Sequence, residues 1–383
     1  MNIVIAIDSF KGSLSSLEAG EAAATGILRA CPGGNIKILP LADGGEGTVE
    51  ALTIGMGGEL QTVKVTGPLD EPIIAQYGIL ATEKTAIMEM AAAAGITLVP
   101  KGKRNPLYTT TYGVGEMLLD AIRKGCRHFI IGIGGSATND GGLGMLQALG
   151  YKMLDDMGNP VSHNALALEK LAAIDDSDVL PEIKDCTFRI ACDVTNPLCG
   201  PEGCSAVFGP QKGAPPNMIS QMDRWLTRYA ELAQAKYPHA NPDAPGAGAA
   251  GGLGFAFLTF TNAKLESGIH IVMTETKLED HIAHADIVVT GEGQLDGQTV
   301  MGKAPIGVAQ IAKSHAKPVI AFSGCVAPDA RICNEHGIDA YFPILRQVTT
   351  LQDAMEPGTA RQNLTDTAEQ VFRLLKIKSH PER

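Results

Sequence analysis

Residues 132–142 read GIGGSATNDGG. The apolar run Phe129-Ile130-Ile131 precedes them, and a helix is expected from about residue 144 to 149. A strand, a glycine loop and a helix start together hold anionic oxygens on backbone N–H groups without basic side chains. Five glycines leave those N–H groups uncovered by side chains, while Ser136, Thr138, Asn139 and Asp140 bring hydroxyl, amide and carboxylate groups to the same place. That mixture predicts a metal–nucleotide site on an α/β sheet rather than a plain turn.

The same alternation extends outward in both directions. Apolar runs at 3–7, 36–39, 129–133, 287–289, 319–322 and 340–342 are mostly uninterrupted, as in strands buried on both faces of a parallel sheet. Helical periodicity lies between or beside them. Ser15 with Glu18 three residues later is a capping box, opening a helix to about Arg29. Further helices fit 113–124, 219–236, 305–314 and 360–376. The pattern predicts an α/β fold with a doubly wound, mostly parallel, Rossmann-like sheet. Two stretches read differently: 62–90 as a hairpin-like series of strands, and 151–271 as short strands, Gly-Pro loops and one helix. The expected division is a discontinuous Rossmann-like domain of residues 1–62, 105–150 and 285–383. A second α/β domain, 63–104 and 151–284, is inserted into it.

Composition narrows the function. The 383 residues suffice for about two domains. The 44 glycines cluster in loops with no fixed period, which excludes collagen-like and repeat architectures. A net charge of −11 with no basic block argues against nucleic acid or an anionic membrane surface as partner. Apolar runs fall short of the ~20 residues of a membrane helix, and the first residues open as a strand rather than a signal peptide. A soluble, cytoplasmic protein is expected. The eight cysteines include no CxxC pair, and Cys199 and Cys204 lack a second ligand pair at zinc spacing, so reduced thiols are expected.

In open parallel sheets, ligands sit beyond the carboxyl ends of the strands. Asp8-Ser9-Phe10-Lys11 follows the first strand, and Asp43 and Glu46 follow the second. The loop with Gly134, Gly135, Ser136, Asn139 and Asp140 follows another, and later strands run into Thr290–Asp296 and Ser323-Gly324. Five small, polar, acidic loops on one edge predict a ligand cleft. Asp193 lies close to another strand end. Residues 246–251, GAGAAG, satisfy GxGxxG but follow the polar run HANPDAP and not a strand, so they fail as a dinucleotide fingerprint. Residues 297–303, GQTVMGK, approach a P-loop, yet Ala304 stands where Ser or Thr would ligate magnesium. Lys303 at that helix start is still placed to meet a phosphate. No HExxH or GxSxG occurs, which leaves zinc-protease and serine-hydrolase readings without support. Phosphoryl transfer needs carboxylates for magnesium, donors for phosphate and a carboxylate for the hydroxyl proton. The acidic loops supply all three.

DSFKGSLS, PLADGGEGT, GIGGSATNDGG, ACDVTNPLCGPEG, FGPQKGA, PGAGAAGGLG and TGEGQLDGQT resemble, in order, the motifs of the bacterial type I glycerate kinase family. The likeness runs from Met1 to about Phe342. Ile7, Gly12, Cys204 and Gly297 depart from it, standing where Pro, Glu, Ala and Ser are common. The resemblance implies two α/β domains with the active site between them, and ATP- and Mg2+-dependent phosphorylation of D-glycerate. The 2-position is favoured, with the 3-hydroxyl as alternative. A nicotinamide-dependent dehydrogenase and a metabolite sensor are weaker rivals. Asp8 or Asp193 is the expected base. Glu292, Asp296 and Asp43 are candidates for magnesium, with Asn139 or Asp140 near it. Lys11, Lys212 or Lys303 would neutralise the transferring group, and Ser9 or Arg104 would hold the substrate carboxylate. The sequence carries no expectation of oligomeric state.

Overall fold

The computed structural model describes residues 1–42 and 47–377. Asp43 and Glu46, both candidate site residues, lie outside the described residues. In chain order the strands are β1 (Asn2–Ile7), β2 (Asn35–Ile38), β3 (Glu59–Thr66), β4 (Pro72–Leu80), β5 (Thr85–Glu89) and β6 (His128–Gly132). They continue as β7 (Lys152–Leu154), β8 (Ala173–Asp175), β9 (Thr187–Ala191), β10 (Ala263–Glu266), β11 (Ile287–Leu295), β12 (Val319–Val326) and β13 (Ala340–Pro343). The chain forms two compact units, Met1–Asp43 with Val272–Arg383, and Gly44–Ile271.

In the first unit five strands pair in parallel, in the order β13-β12-β11-β1-β2. Counted within the unit this is 2-1-3-4-5, a doubly wound sheet whose strand order reverses between β1 and β11. Ligands of such sheets bind at that reversal. The apolar runs follow from burial: Ile3, Ile5, Ile7, Val289 and Phe322 all lie in the core. Helix Ser16–Ala30 starts on the expected capping box, with Glu18 N donating to Ser15 Oγ at 3.3 Å and Ser15 N to Glu18 Oε2 at 2.9 Å. It packs closely on helix Pro357–Ile377, because a Cβ at Gly26 would lie 2.0 Å from the Thr365 carbonyl oxygen. Thr365 Oγ1 donates to Ala22 O across the same seam at 3.0 Å.

The second unit carries a mixed sheet, β10-β9-β6-β5-β4-β3. Its first four strands run parallel, and β4 and β3 add the antiparallel hairpins expected for 62–90. Phe129 stacks on Phe188 at 5.0 Å between β6 and β9, and helix Pro216–Lys236 buries Trp225, Leu226 and Tyr229. Strands β7 and β8 form a separate antiparallel pair. Among the described residues no helix is long and apolar enough to cross a membrane.

Three expectations change. Residues 105–150 were expected with the first and last segments, but their strand β6 pairs with β5 and β9 inside the second unit. An apolar run signals burial without naming the sheet that buries it. The acidic loops also do not share one edge: those after β1, β11 and β12 belong to the first unit and GGSATNDGG to the second. Finally, TGEGQL is ladder rather than loop, since β11 continues to Leu295 and β12 to Val326. Glycine permits this close approach, as a Cβ at Gly291 would sit 2.0 Å from the Phe322 carbonyl oxygen.

Candidate functional site

At the sheet reversal of the first unit, Asp8 N donates to Gly291 O at 2.9 Å. This fixes Asp8 at the end of β1, alongside Glu292 on the adjacent strand. The Asp8 carboxylate accepts Ser9 N at 2.7 Å. The β1 loop lies over β11, because a Cβ at Gly293 would touch Phe10 Cα at 3.6 Å and Lys11 N at 3.7 Å. Lys11 is exposed on that loop and Ser9 half-buried. Glu292 is 8% exposed. Burial pushes its carboxyl up, against Thr299 Oγ1, which donates to it at 2.6 Å, and Lys303, whose Nζ stands 3.5 Å away.

Asp296 terminates the same strand. Its Oδ1 accepts the backbone N–H of Gln298 at 2.9 Å and of Thr299 at 3.2 Å, and its Oδ2 accepts Gln294 Nε2 at 2.9 Å. Partial burial opposes ionisation, but these donors and Lys303 at 3.7 Å hold the carboxyl below its usual range. Lys303 therefore bridges two carboxylates at the start of helix Ala304–Ser314, where Gly302 turns the chain with φ 102°.

In the second unit the loop after β6 is held from beneath. Asp140 is fully buried, and its carboxylate accepts Thr111 N (2.9 Å), Thr111 Oγ1 (2.7 Å), Gly142 N (3.2 Å) and Gly144 N (3.4 Å). Burial raises its pKa against those four hydrogen bonds. Asp140, expected near a metal, fastens the loop to the start of helix Tyr112–Arg123. Asn139 is buried too: its Nδ2 donates to Ser205 Oγ at 2.9 Å and its Oδ1 has no partner. Lys212 is 3% exposed, and its Nζ donates to Ser136 Oγ and to the Thr138 carbonyl, both at 2.7 Å. Gly134 and Gly135 stay exposed.

The segment that carries the literal GxGxxG supplies the other wall of this loop. A Cβ at Gly251, φ 68°, would lie 2.0 Å from the Thr138 carbonyl oxygen, and Gly141 N donates to Gly251 O at 2.9 Å. Those glycines permit one backbone to lie on another. Asp193, after β9, is exposed and accepts Gly268 N at 3.2 Å. Arg104 donates to the carbonyls of Ile96 and Val99, both at 3.4 Å, and so serves its own loop.

The structure thus brings Asp8, Ser9, Glu292, Asp296 and Lys303 to one sheet end, and Gly134, Gly135, Ser136, Asn139 and Lys212 to another. Thr111 and Ser205 escaped the sequence reading, while Thr299 and Gly251 lie in stretches it singled out for other reasons. Only the run Thr109-Thr110-Thr111, polar yet directly before a helix, signals one of them in advance. Carboxylates beside a lysine at a strand-order reversal can accept a proton, and a glycine loop backed by a buried lysine can hold an anion.

These features define an α/β enzyme that handles a charged small molecule. The chain belongs to the glycerate kinase family, whose model matches residues 3–376. It is 48% identical to a glycerate kinase of Haemophilus influenzae over 99% of this chain and 100% of that one. It is 49% identical to glycerate 2-kinase of Escherichia coli K12, covering 92% and 93%. A crystal structure assigned as glycerate kinase 2 from Salmonella typhimurium LT2 matches with a TM-score of 0.91 and 47% identity, over 99% of both chains.

Proposed function

We propose that this chain is an ATP-dependent glycerate kinase that phosphorylates the 2-hydroxyl of D-glycerate, giving 2-phosphoglycerate and ADP. One observation carries the reading: near-half identity, along almost the whole chain, to a relative named glycerate 2-kinase. In the proposed step the 2-hydroxyl oxygen forms a bond to the γ-phosphorus as the bond to the β-bridging oxygen breaks. The hydroxyl proton passes to the Asp8 carboxylate. Asp8 is preferred to Asp193 as base because it stands at the strand-order reversal beside Glu292. Ser9 N keeps the Asp8 carboxylate oriented. Lys303 and Lys11 supply positive charge at the same sheet end.

Among the described residues no group of three or more His, Cys, Asp or Glu could hold a metal alone. That suits Mg2+, which commonly takes one or two carboxylates and completes its shell with phosphates and water. Glu292 fits best, as a buried hard-oxygen donor whose Oε2 meets, among the described residues, Lys303 at 3.5 Å. Asp296, whose two oxygens already accept hydrogen bonds, would add negative charge beside the ion rather than act as its main ligand. When bound, Mg2+ neutralises phosphate charge. Phosphorus NMR of the product formed from D-glycerate and MgATP tests the proposal: a 2-phosphoglycerate resonance is expected, and absence of any phosphoglycerate refutes it.

A further inference from the structure

Lys212 is a buried ammonium without a buried counter-ion in hydrogen-bonding reach. Of its three N–H donors, Ser136 Oγ takes one and the Thr138 carbonyl another. The third has no partner among the described residues. Ser136 Oγ accepts from Lys212, which leaves its own proton to donate outward. The N–H groups of Gly134, Gly135 and Ser136 also make no hydrogen bond among the described residues. Gly135 takes φ 71°, the left-handed conformation that occurs in anion-cradling nests. Burying a lysine among neutral partners is unfavourable unless something compensates it. Accordingly, burial pulls its pKa down to about 8.

The surroundings are built to hold this arrangement. Residues 204–214 clasp the glycine loop twice, through Lys212 and through Ser205 to Asn139. Gly213 takes φ 88°, and a Cβ there would lie 2.2 Å from the Arg104 carbonyl oxygen. Lys212 is therefore delivered to Ser136 by backbone that admits no larger residue. The titratable groups around it are Asp140, already holding four hydrogen bonds, and Cys204, whose thiol burial pushes up to about 12.

We propose that Lys212, the Ser136 hydroxyl and the N–H groups of Gly134, Gly135 and Ser136 form one anion subsite. It grips either a phosphate oxygen of ATP or the carboxylate of the hydroxy acid. Lys212 is the missing half of the glycine loop's charge balance, and a bound anion supplies the counter-charge. The proposal rests on the kinase reading only for the identity of these two ligands, so binding is measured separately from turnover.

The test is calorimetric titration of the intact protein with MgATP and, separately, with D-glycerate, at pH 7.5 and 9.5. Lys212→Met is expected to weaken one ligand at least tenfold, with Lys212→Arg restoring it to within threefold. An effect on ATP assigns a phosphate, and an effect on glycerate assigns the carboxylate. In the wild type that same ligand weakens at least tenfold from pH 7.5 to 9.5, as Lys212 loses its proton. The dependence vanishes in Lys212→Arg, which separates it from Asp140 and Cys204. If Lys212→Met does not fold, Ser136→Ala and the wild-type pH dependence decide. Lys212→Met binding both ligands like the wild type, or wild-type affinities that are flat with pH or undetectable, overturns the subsite. Product formation by the wild type judges the kinase reading independently.

Discussion

The chain keeps two lysines beside functional loops and treats them in opposite ways. Lys303, in the first unit, is 40% exposed at its side chain and stands 3.5 and 3.7 Å from two carboxylates. Lys212, in the second, is nearly inaccessible, and its two partners are a hydroxyl and a carbonyl. The first arrangement is electrostatically complete as it stands. The second is unfavourable when empty and improves when an anion arrives. The first unit thus has the groups for proton transfer and charge neutralisation, and the second has those for gripping an anion.

The largest effect expected from breaking this comparison is at Asp8. Asp8→Asn should lower kcat by about 100-fold or more, the contribution of a general base, with both KM values nearly unchanged and the melting temperature held. Lys212→Met should show the converse split, raising one KM with a smaller change in kcat. A fall in KM-linked affinity at Asp8, or of kcat alone at Lys212, would merge the two roles.

Next is backbone packing. Gly251→Ala places a methyl 2.0 Å from the Thr138 carbonyl at φ 68°, so urea unfolding should show a loss of about 3 kcal/mol. Gly302→Ala, at φ 102° with nothing within 4 Å, should lose about 1 kcal/mol from strain alone. Equal losses would mean that the two glycine loops in the second unit do not bear on each other.

Lys212 also predicts a stability change with pH. Its pKa falls from the usual 10.5 to about 8 on folding. Between those values the unfolded chain holds the proton that the folded chain has released, so folding stability rises with pH across that window. The cost of burying the charge is fully present below about pH 8 and gone above about 10.5. Relative to Lys212→Met, the wild type should gain about 3 kcal/mol between the two ends, measured by denaturant unfolding. A flat difference would place the ammonium in contact with more solvent than its burial shows. The smallest effect is at the helix start of the first unit: Ser15→Ala should lose about 1 kcal/mol through the capping box, without altering either KM.

The sequence reveals local structure well and partnership poorly. The period of the apolar residues marks β1, β2 and β6, and Ser15 with Glu18 marks a helix start to the residue, because those signals are local. Nothing local tells β6 which sheet it joins, and that choice moves GGSATNDGG from one unit to the other. Asp140 shows the same limit. A carboxylate in a glycine loop suggests a metal ligand, but Thr111, 29 positions away, turns it into a buried fastener. Lys212 is visible in FGPQKGA as a lysine, whereas its burial, with no carboxylate among the described residues in hydrogen-bonding reach, emerges only from the packing of residues 204–214 on the loop. The GAGAAG stretch follows helix Pro216–Lys236 and a loop, not a strand. Its last glycine, Gly251, is nonetheless required for close contact with the Thr138 carbonyl.

The central claim is that this chain transfers the γ-phosphoryl of ATP to the 2-hydroxyl of D-glycerate. Phosphorus NMR of the reaction of purified protein with D-glycerate and MgATP addresses it directly. The predicted spectrum shows ADP rising in step with a doublet from phosphate on a secondary carbon, split by its single proton. A triplet from phosphate on the terminal CH2 would contradict the 2-position, and unchanged ATP in the presence of glycerate would contradict the activity.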